Sequence, residues 1–280
     1  MPEYVVPKGM EKLMPETPFI GNCQYKAPYS RELEGKTFDL LFDDGHEMMV
    51  TFPSRDKIIY NENDEIHCDN YLCMKAADTA FLLLTEQKHI SPRTGLLMLL
   101  DFSTNLVTGI FVSQGTVSNF PNLVTRTVRF GVIRNGNSPL PSQRHYFTEE
   151  LLGKKIEWAY SPEFRIIHVY CGKDSYFAAM EPKLGEKYRK QREAEGLKPI
   201  PLTTEPSIYI HLRDNLFLFS FIEKNLGSGT QGLMVINTDS VTDVGCFWGT
   251  NPVGDPEGYL FSAYGRWVTE RLPEEALLGF

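Results

Sequence analysis

The chain lacks the features that mark most common protein classes. Across its 280 residues no apolar run approaches the roughly 18 that a membrane-spanning helix needs. The opening MPEYVVPKGMEKLMPETPF mixes acids and prolines and has no apolar centre of the kind a secretory signal carries. The five cysteines (Cys23, Cys68, Cys73, Cys171, Cys246) are odd in number and scattered, which predicts reduced thiols in a cytoplasmic protein, not a disulfide framework. Positive charge is short as well, with 28 Lys and Arg against 36 Asp and Glu and a formal charge of −8. A general nucleic-acid binder needs a basic surface to displace counterions from phosphates, so that class is excluded.

Cofactor and metal signatures are equally scarce. The six histidines (His46, His67, His89, His145, His168, His211) show no H-x-H or H-E-x-x-H spacing. His67-Cys68-Asp69 with Cys73 stands alone, without the second paired motif of a structural zinc site. No G-x-S-x-G elbow or P-loop is present. Gly227-Ser-Gly-Thr-Gln-Gly232 fits G-x-G-x-x-G, but the following Leu233-Met-Val-Ile reads as a strand, so a hairpin loop is expected there. Chemistry without a metal or a nucleotide cofactor is what remains: proton transfer, addition, elimination or isomerisation.

What the chain does have is a repeat. Leu33-Glu-Gly-Lys-Thr-Phe-Asp-Leu-Leu-Phe42 is answered by Leu151-Leu-Gly-Lys-Lys-Ile-Glu-Trp-Ala-Tyr160, 118 residues on (Gly35 to Gly153). Tyr71-Leu-Cys-Met with Phe81-Leu-Leu-Leu-Thr-Glu86 is answered by Tyr209-Ile-His-Leu with Leu216 to Glu223, 137 residues on (Glu86 to Glu223). Gly95 and Gly109 recur as Gly232 and Gly245. The offset jumps once by about 20 residues, across a charged stretch that predicts an inserted surface helix over residues 182–196, closed by Gly196. Both copies alternate in the manner of strands, and Asp43-Asp-Gly45 marks a tight hairpin. The expected architecture is all-β, with two tandem antiparallel barrels of the lipocalin or calycin type. The expected divisions are an arm at 1–30, a first barrel at 31–134, a linker at 135–148 and a second barrel at 149–280.

Two glutamates end apolar stripes of period two. Glu86 follows Ala80, Leu82 and Leu84, and Glu223 follows Phe217, Phe219 and Phe221. If those faces line a barrel, desolvation raises the carboxyl pKa towards neutrality and supplies an acid or base; otherwise they are solvated strand ends. Trp158 and Tyr160 share a face with Ile156, as ligand platform or as packed core. His168 shares a face with Tyr170, and Tyr209, His211 and Arg213 share another that points either to water or into a lumen. Trp248 ends a late strand, and Arg266 follows in the aromatic stretch Gly258 to Trp267.

The stretch Leu33 to Gly45, with the repeated strands after it, resembles the MoaF-like proteins (molybdenum cofactor biosynthesis protein F), which implies two related calycin barrels. The first copy also resembles the phenolic acid decarboxylases, which work without a cofactor. Thr85-Glu86 matches their acid element, and Trp158, Tyr160 and Glu223 occupy the corresponding places of the second copy, where one of the family's two tyrosines is kept. Their arginine falls on Asn61 or Phe177 and is missing. The resulting expectation is a cofactor-free lyase or isomerase. Glu223, Tyr160, His168 and Glu86 would be its catalytic groups, and Trp158, Tyr209, His211, Phe219, Phe221, Trp248 and Arg266 its binding wall. The alternatives are a carrier on the same barrels, or barrels packed solid. The partners expected are a small organic molecule and a second copy in a homodimer, with neither nucleic acid, membrane, metal nor cofactor.

Overall fold

Side chains alternate across a strand, so each strand of a closed barrel sends one set of residues into the lumen and the other set outwards. The computed structural model describes residues 25, 27–62, 65–115, 123–134, 136, 138–162, 164–196, 202–224, 229–250 and 255–277. The first barrel is an up-and-down meander: β1 (Thr37–Phe42), β2 (Glu47–Ser54), β3 (Lys57–Glu62), β4 (Glu65–Ala77), β5 (Ala80–Gln87), β6 (Thr94–Asp101), β7 (Leu106–Gln114) and β8 (Val124–Arg134). Each strand pairs antiparallel with the next, and β8 returns to β1. After a two-residue strand β9 (Tyr146–Phe147) come β10 (Lys155–Ala159), β11 (Arg165–Gly172) and β12 (Ser175–Ala179). Helix α1 (Pro182–Ala194) precedes β13 (Glu205–Arg213), β14 (Leu216–Glu223), β15 (Thr230–Asn237), β16 (Thr242–Thr250) and β17 (Pro256–Trp267). The second barrel closes through β10–β17 and through the short β12–β13 pairing at Tyr176 and Glu205. Among the described residues no helix is long and apolar enough to cross a membrane.

The repeat is geometric. Gly35 and Gly153 both sit at left-handed φ, +78° and +77°, where a Cβ would be strained. The Gly35 amide donates to Phe52 O at 2.7 Å, and the Gly153 amide donates to Tyr170 O at 2.8 Å, again 118 residues apart. From β13 onwards the offset is 136: Leu83 pairs with Met98 as Phe219 pairs with Met234. Helix α1 fills the jump. Pro182 starts it, the Glu181 carboxylate caps the Leu184 amide, and Gly196 follows its end at φ +74°. Its Leu184 and Tyr188 pack on the second barrel's core, and Lys190 and Glu186 pair in water on the outer side.

Where the barrels face each other, β5, β6, β14 and β15 are buried on both faces. The outward Leu82, Leu84, Leu97 and Leu99 of the first barrel meet Leu216, Leu218, Leu233 and Val235 of the second in one core. The continuous apolar runs of these strands follow from that double burial. Trp248, wholly buried, belongs to this interface. Arg93 stacks on its ring at 4.4 Å, and a Cβ on Gly95 would come within 2.6 Å of it. The expected linker is partly structure. Residues Asn135 and Asn137 lie outside the described set, but β9 pairs with β13, and buried His145 meets Thr108 Oγ1 at 2.7 Å. Of the expected N-terminal arm, residues 1–24 and 26 lie outside the described set. Its inner end bridges both barrels, through Tyr25 N to Tyr160 O at 3.0 Å and Ser30 N to Cys73 O at 2.8 Å.

Trp248→Ala should cost about 3–5 kcal/mol in urea unfolding, the range for truncating a large buried ring. Met49→Ala, on an exposed outer face, should stay within about 0.5 kcal/mol. Equal effects would contradict the interface.

Candidate functional site in the second barrel

β14 sends Phe217, Phe219, Phe221 and Glu223 into the second lumen and Leu216, Leu218 and Ile222 out of it. The lumen is aromatic. Rings of Tyr170, Tyr176, Tyr209, Phe219 and Phe221 touch with centroids 4.8–5.8 Å apart. Trp158 joins them by donating its Nε1 proton to the Tyr170 hydroxyl at 3.4 Å. Tyr209 is tied off: its hydroxyl donates to Ser175 O at 3.0 Å and accepts from Ser207 Oγ at 3.2 Å.

Glu223 stands where this stripe reaches the barrel mouth, half-buried at the end of its strand. Tyr176, on β12, donates its hydroxyl proton to Glu223 Oε1 at 2.7 Å. Burial pushes the Glu223 carboxyl up to about 7; the Tyr176 hydrogen bond pulls it down, and the charges of Glu205 and Glu257 push it up further. Glu257 is itself raised to about 7 by burial, against the hydrogen bond that Thr230 donates at 3.3 Å. The Tyr176 phenol is pushed well above its ordinary range by burial and by Glu223, so it remains a proton donor. His168 lies in the same lumen, edge-on to Tyr176 at 5.3 Å and to Phe221 at 6.0 Å. Burial holds it down at about 3, so near neutral pH it is a neutral hydrogen-bonding group and not a proton carrier. Among the described residues its Nδ1 has no hydrogen-bond partner.

The expected site residues therefore divide. Glu223, Trp158, Tyr209, Phe219, Phe221 and His168 share one lumen. Tyr160 joins them, ring to ring with Phe164 and Phe261 at 5.6 Å each, and Tyr188 of α1 packs on the same Phe164 at 5.4 Å. The phenol bonded to Glu223 is nevertheless Tyr176, which the sequence reading missed. The other four residues lie elsewhere.

Glu86 points outwards on β5 and pairs with Arg93 at 2.6 Å, between the barrels. A one-residue slip explains this, because the register makes Gln87, 136 residues before Glu223, its true counterpart, and one residue is one face of a strand. Trp248 is at the interface. Arg266 is on the outer wall, paired with Glu157 at 2.5 Å. His211 faces the opposite mouth, where it pairs with Glu150 at 2.9 Å and stacks on Tyr146 at 4.8 Å. Phe217 is its cross-strand partner, six residues from Glu223 or about 20 Å along the strand, so the two cannot act on one small molecule. Gly227 and Ser228 of the glycine pattern lie outside the described residues, and its Thr230, Gln231 and Gly232 already belong to strand β15.

Among the described residues no group of three or more His, Cys, Asp or Glu is placed to hold a metal ion. A scan against protein-family models and a search of curated proteins each find no match to this chain.

The raised Glu223 carboxyl has a thermodynamic signature. The folded state holds the Glu223 proton up to about pH 7, while the unfolded chain releases it near 4.5. Its contribution to stability is therefore full below pH 4.5 and is lost as pH rises to 7. Glu223→Gln stays neutral throughout, so the variant should gain stability relative to the parent between those pH values. Urea unfolding at a series of pH values tests this, and a difference independent of pH would contradict it.

Proposed function

We propose that the second barrel carries out cofactor-free acid–base chemistry on a small, partly apolar organic molecule, as a lyase or isomerase. The observation that carries this reading is the Tyr176–Glu223 pair at 2.7 Å, at the mouth of an aromatic lumen. A carboxyl poised near neutrality can both take and return a proton at working pH. Tyr176, held protonated, can donate to a developing oxyanion or steady the carboxylate. His168 supplies a neutral polar contact deeper in the lumen. The kinship with MoaF-like and phenolic acid decarboxylase-like barrels, carried by Leu33 to Gly45 and by Glu223, belongs to the same proposal.

The buried free thiols Cys73 and Cys246 agree with the reducing cytoplasm. A carrier role is the second reading. It is favoured by the near-parallel stack of Tyr209, Phe219 and Phe221, which suits holding a flat ring without moving a proton.

The test is incubation in deuterium oxide with hydroxycinnamates and 2-oxo acids, without added cofactor, followed by mass spectrometry. A new product or carbon-bound deuterium should form. Glu223→Gln should slow the reaction about 100-fold or more. Tyr176→Phe, which removes the hydrogen bond that lowers the Glu223 pKa, should move the acid limb of the pH profile upwards. Turnover unchanged in both variants would refute the assignment, and a ligand recovered intact would leave the carrier reading.

A further inference from the structure

The first barrel has a polar mouth of its own, formed where β3, β4 and β5 meet. At the position of Glu223 it carries Gln87, and at that of Glu205 it carries Asp69, each 136 residues earlier. Gln87 is 1% exposed. Its Nε2 donates to Glu62 Oε2 at 2.8 Å, which fixes the amide orientation, since the reverse would set two oxygens together. Among the described residues the Gln87 carbonyl oxygen then has no hydrogen-bond partner, although it is buried. A buried acceptor left unmet carries a desolvation cost, so a donor that reaches it is favoured.

Around this oxygen the side chains form one connected group. Glu62 Oε2 lies 3.5 Å from His89 Nε2. His89 stacks flat on His67, with centroids 3.4 Å apart and planes inclined by 8°. His89 Nδ1 is 3.5 Å from the Tyr60 hydroxyl, which donates to Asp69 Oδ2 at 2.7 Å. Glu62, His67 and His89 keep 13%, 12% and 28% of their side-chain surface, so the group is reachable from outside. Two carboxylates and an unmet carbonyl face inwards here, and among the described residues no Lys or Arg is bonded to the group. Arg129, in the same barrel, is engaged by Asp44 at 2.8 Å and by the Phe111 ring at 4.4 Å. Acceptors and flat rings without a fixed cation recognise positive charge that carries hydrogen-bond donors.

We propose that this mouth binds a small organic cation, an ammonium or guanidinium on a flat apolar body. Its N–H groups meet Glu62 and the Gln87 carbonyl, and its body lies against the His67–His89 stack. The site stands apart from Glu223, in the other barrel, and does not depend on chemistry there.

Three probes of similar size and different charge test it: benzylammonium, benzyl alcohol and benzoate, each titrated into the full chain at constant pH. The ring C–H resonances of His67 and His89 are the readout. Benzylammonium should shift both, saturably, while the alcohol and the acid leave them in place. Glu62→Gln, which keeps the side-chain shape, should weaken the titration at least tenfold. Gln87→Leu, which removes the unmet carbonyl, should weaken it as well. No shift with benzylammonium, equal shifts with benzyl alcohol, or parental affinity in both variants would overturn the proposal.

Discussion

Each barrel shields one wall of the other from water, and most of the remaining structure depends on that contact. A single barrel with one wet wall would alternate apolar and polar residues on every strand. Here β5, β6, β14 and β15 are apolar on both faces, because the outward leucines of one barrel fill the spaces between those of the other. Two acids at this contact, Glu86 and Asp101, are paired with arginines, while Trp248 Nε1 is buried there without a hydrogen-bond partner among the described residues. Arg93 satisfies Glu86, the Gln114 carbonyl and the backbone oxygens of Gly249 and Glu257, and Arg213 meets wholly buried Asp101 at 3.0 Å. The interface thus fixes which face of each strand is left to build a lumen.

That constraint also explains what the sequence made legible. The strands, the repeat and the inserted helix could be read from alternation, turn residues and charge. So could the Phe217, Phe219, Phe221, Glu223 stripe, because its ring-rich face differs from the aliphatic Leu216, Leu218, Ile222 face. In β5 both faces are aliphatic, so the stripe ending in Glu86 could not be told from the one ending in Gln87, and the slip of one residue went unmarked. Tyr176 was hidden for another reason. It reaches Glu223 through the β12–β13 closure, a pairing across α1 that leaves no local pattern. Trp248 and Arg266 are residue types common in ligand sites, and only their partners, Arg93 and Glu157, show that they are structural.

The two mouths show how one scaffold diverges. Asp69 and Glu205 keep an acid at the same place in both copies, each nearly buried. Around them the first barrel sets an amide and stacked imidazoles, and the second sets a carboxyl, a phenol and a wall of rings. Helix α1 lies in the β12–β13 connection, at the Glu223 mouth, and its Tyr188 reaches Phe164 at 5.4 Å. The insertion adds Leu184 and Tyr188 to the apolar core of the second barrel.

The state of one carboxyl group decides whether the second lumen can move a proton. Carbon-13 titration of Glu223 in the full chain, assigned by its loss in Glu223→Gln, measures that state directly. A midpoint near 7 is predicted, because burial outweighs the Tyr176 hydrogen bond. A midpoint at the ordinary value of 4.5 would show a solvated strand end and would contradict the reading of this lumen as an acid–base site.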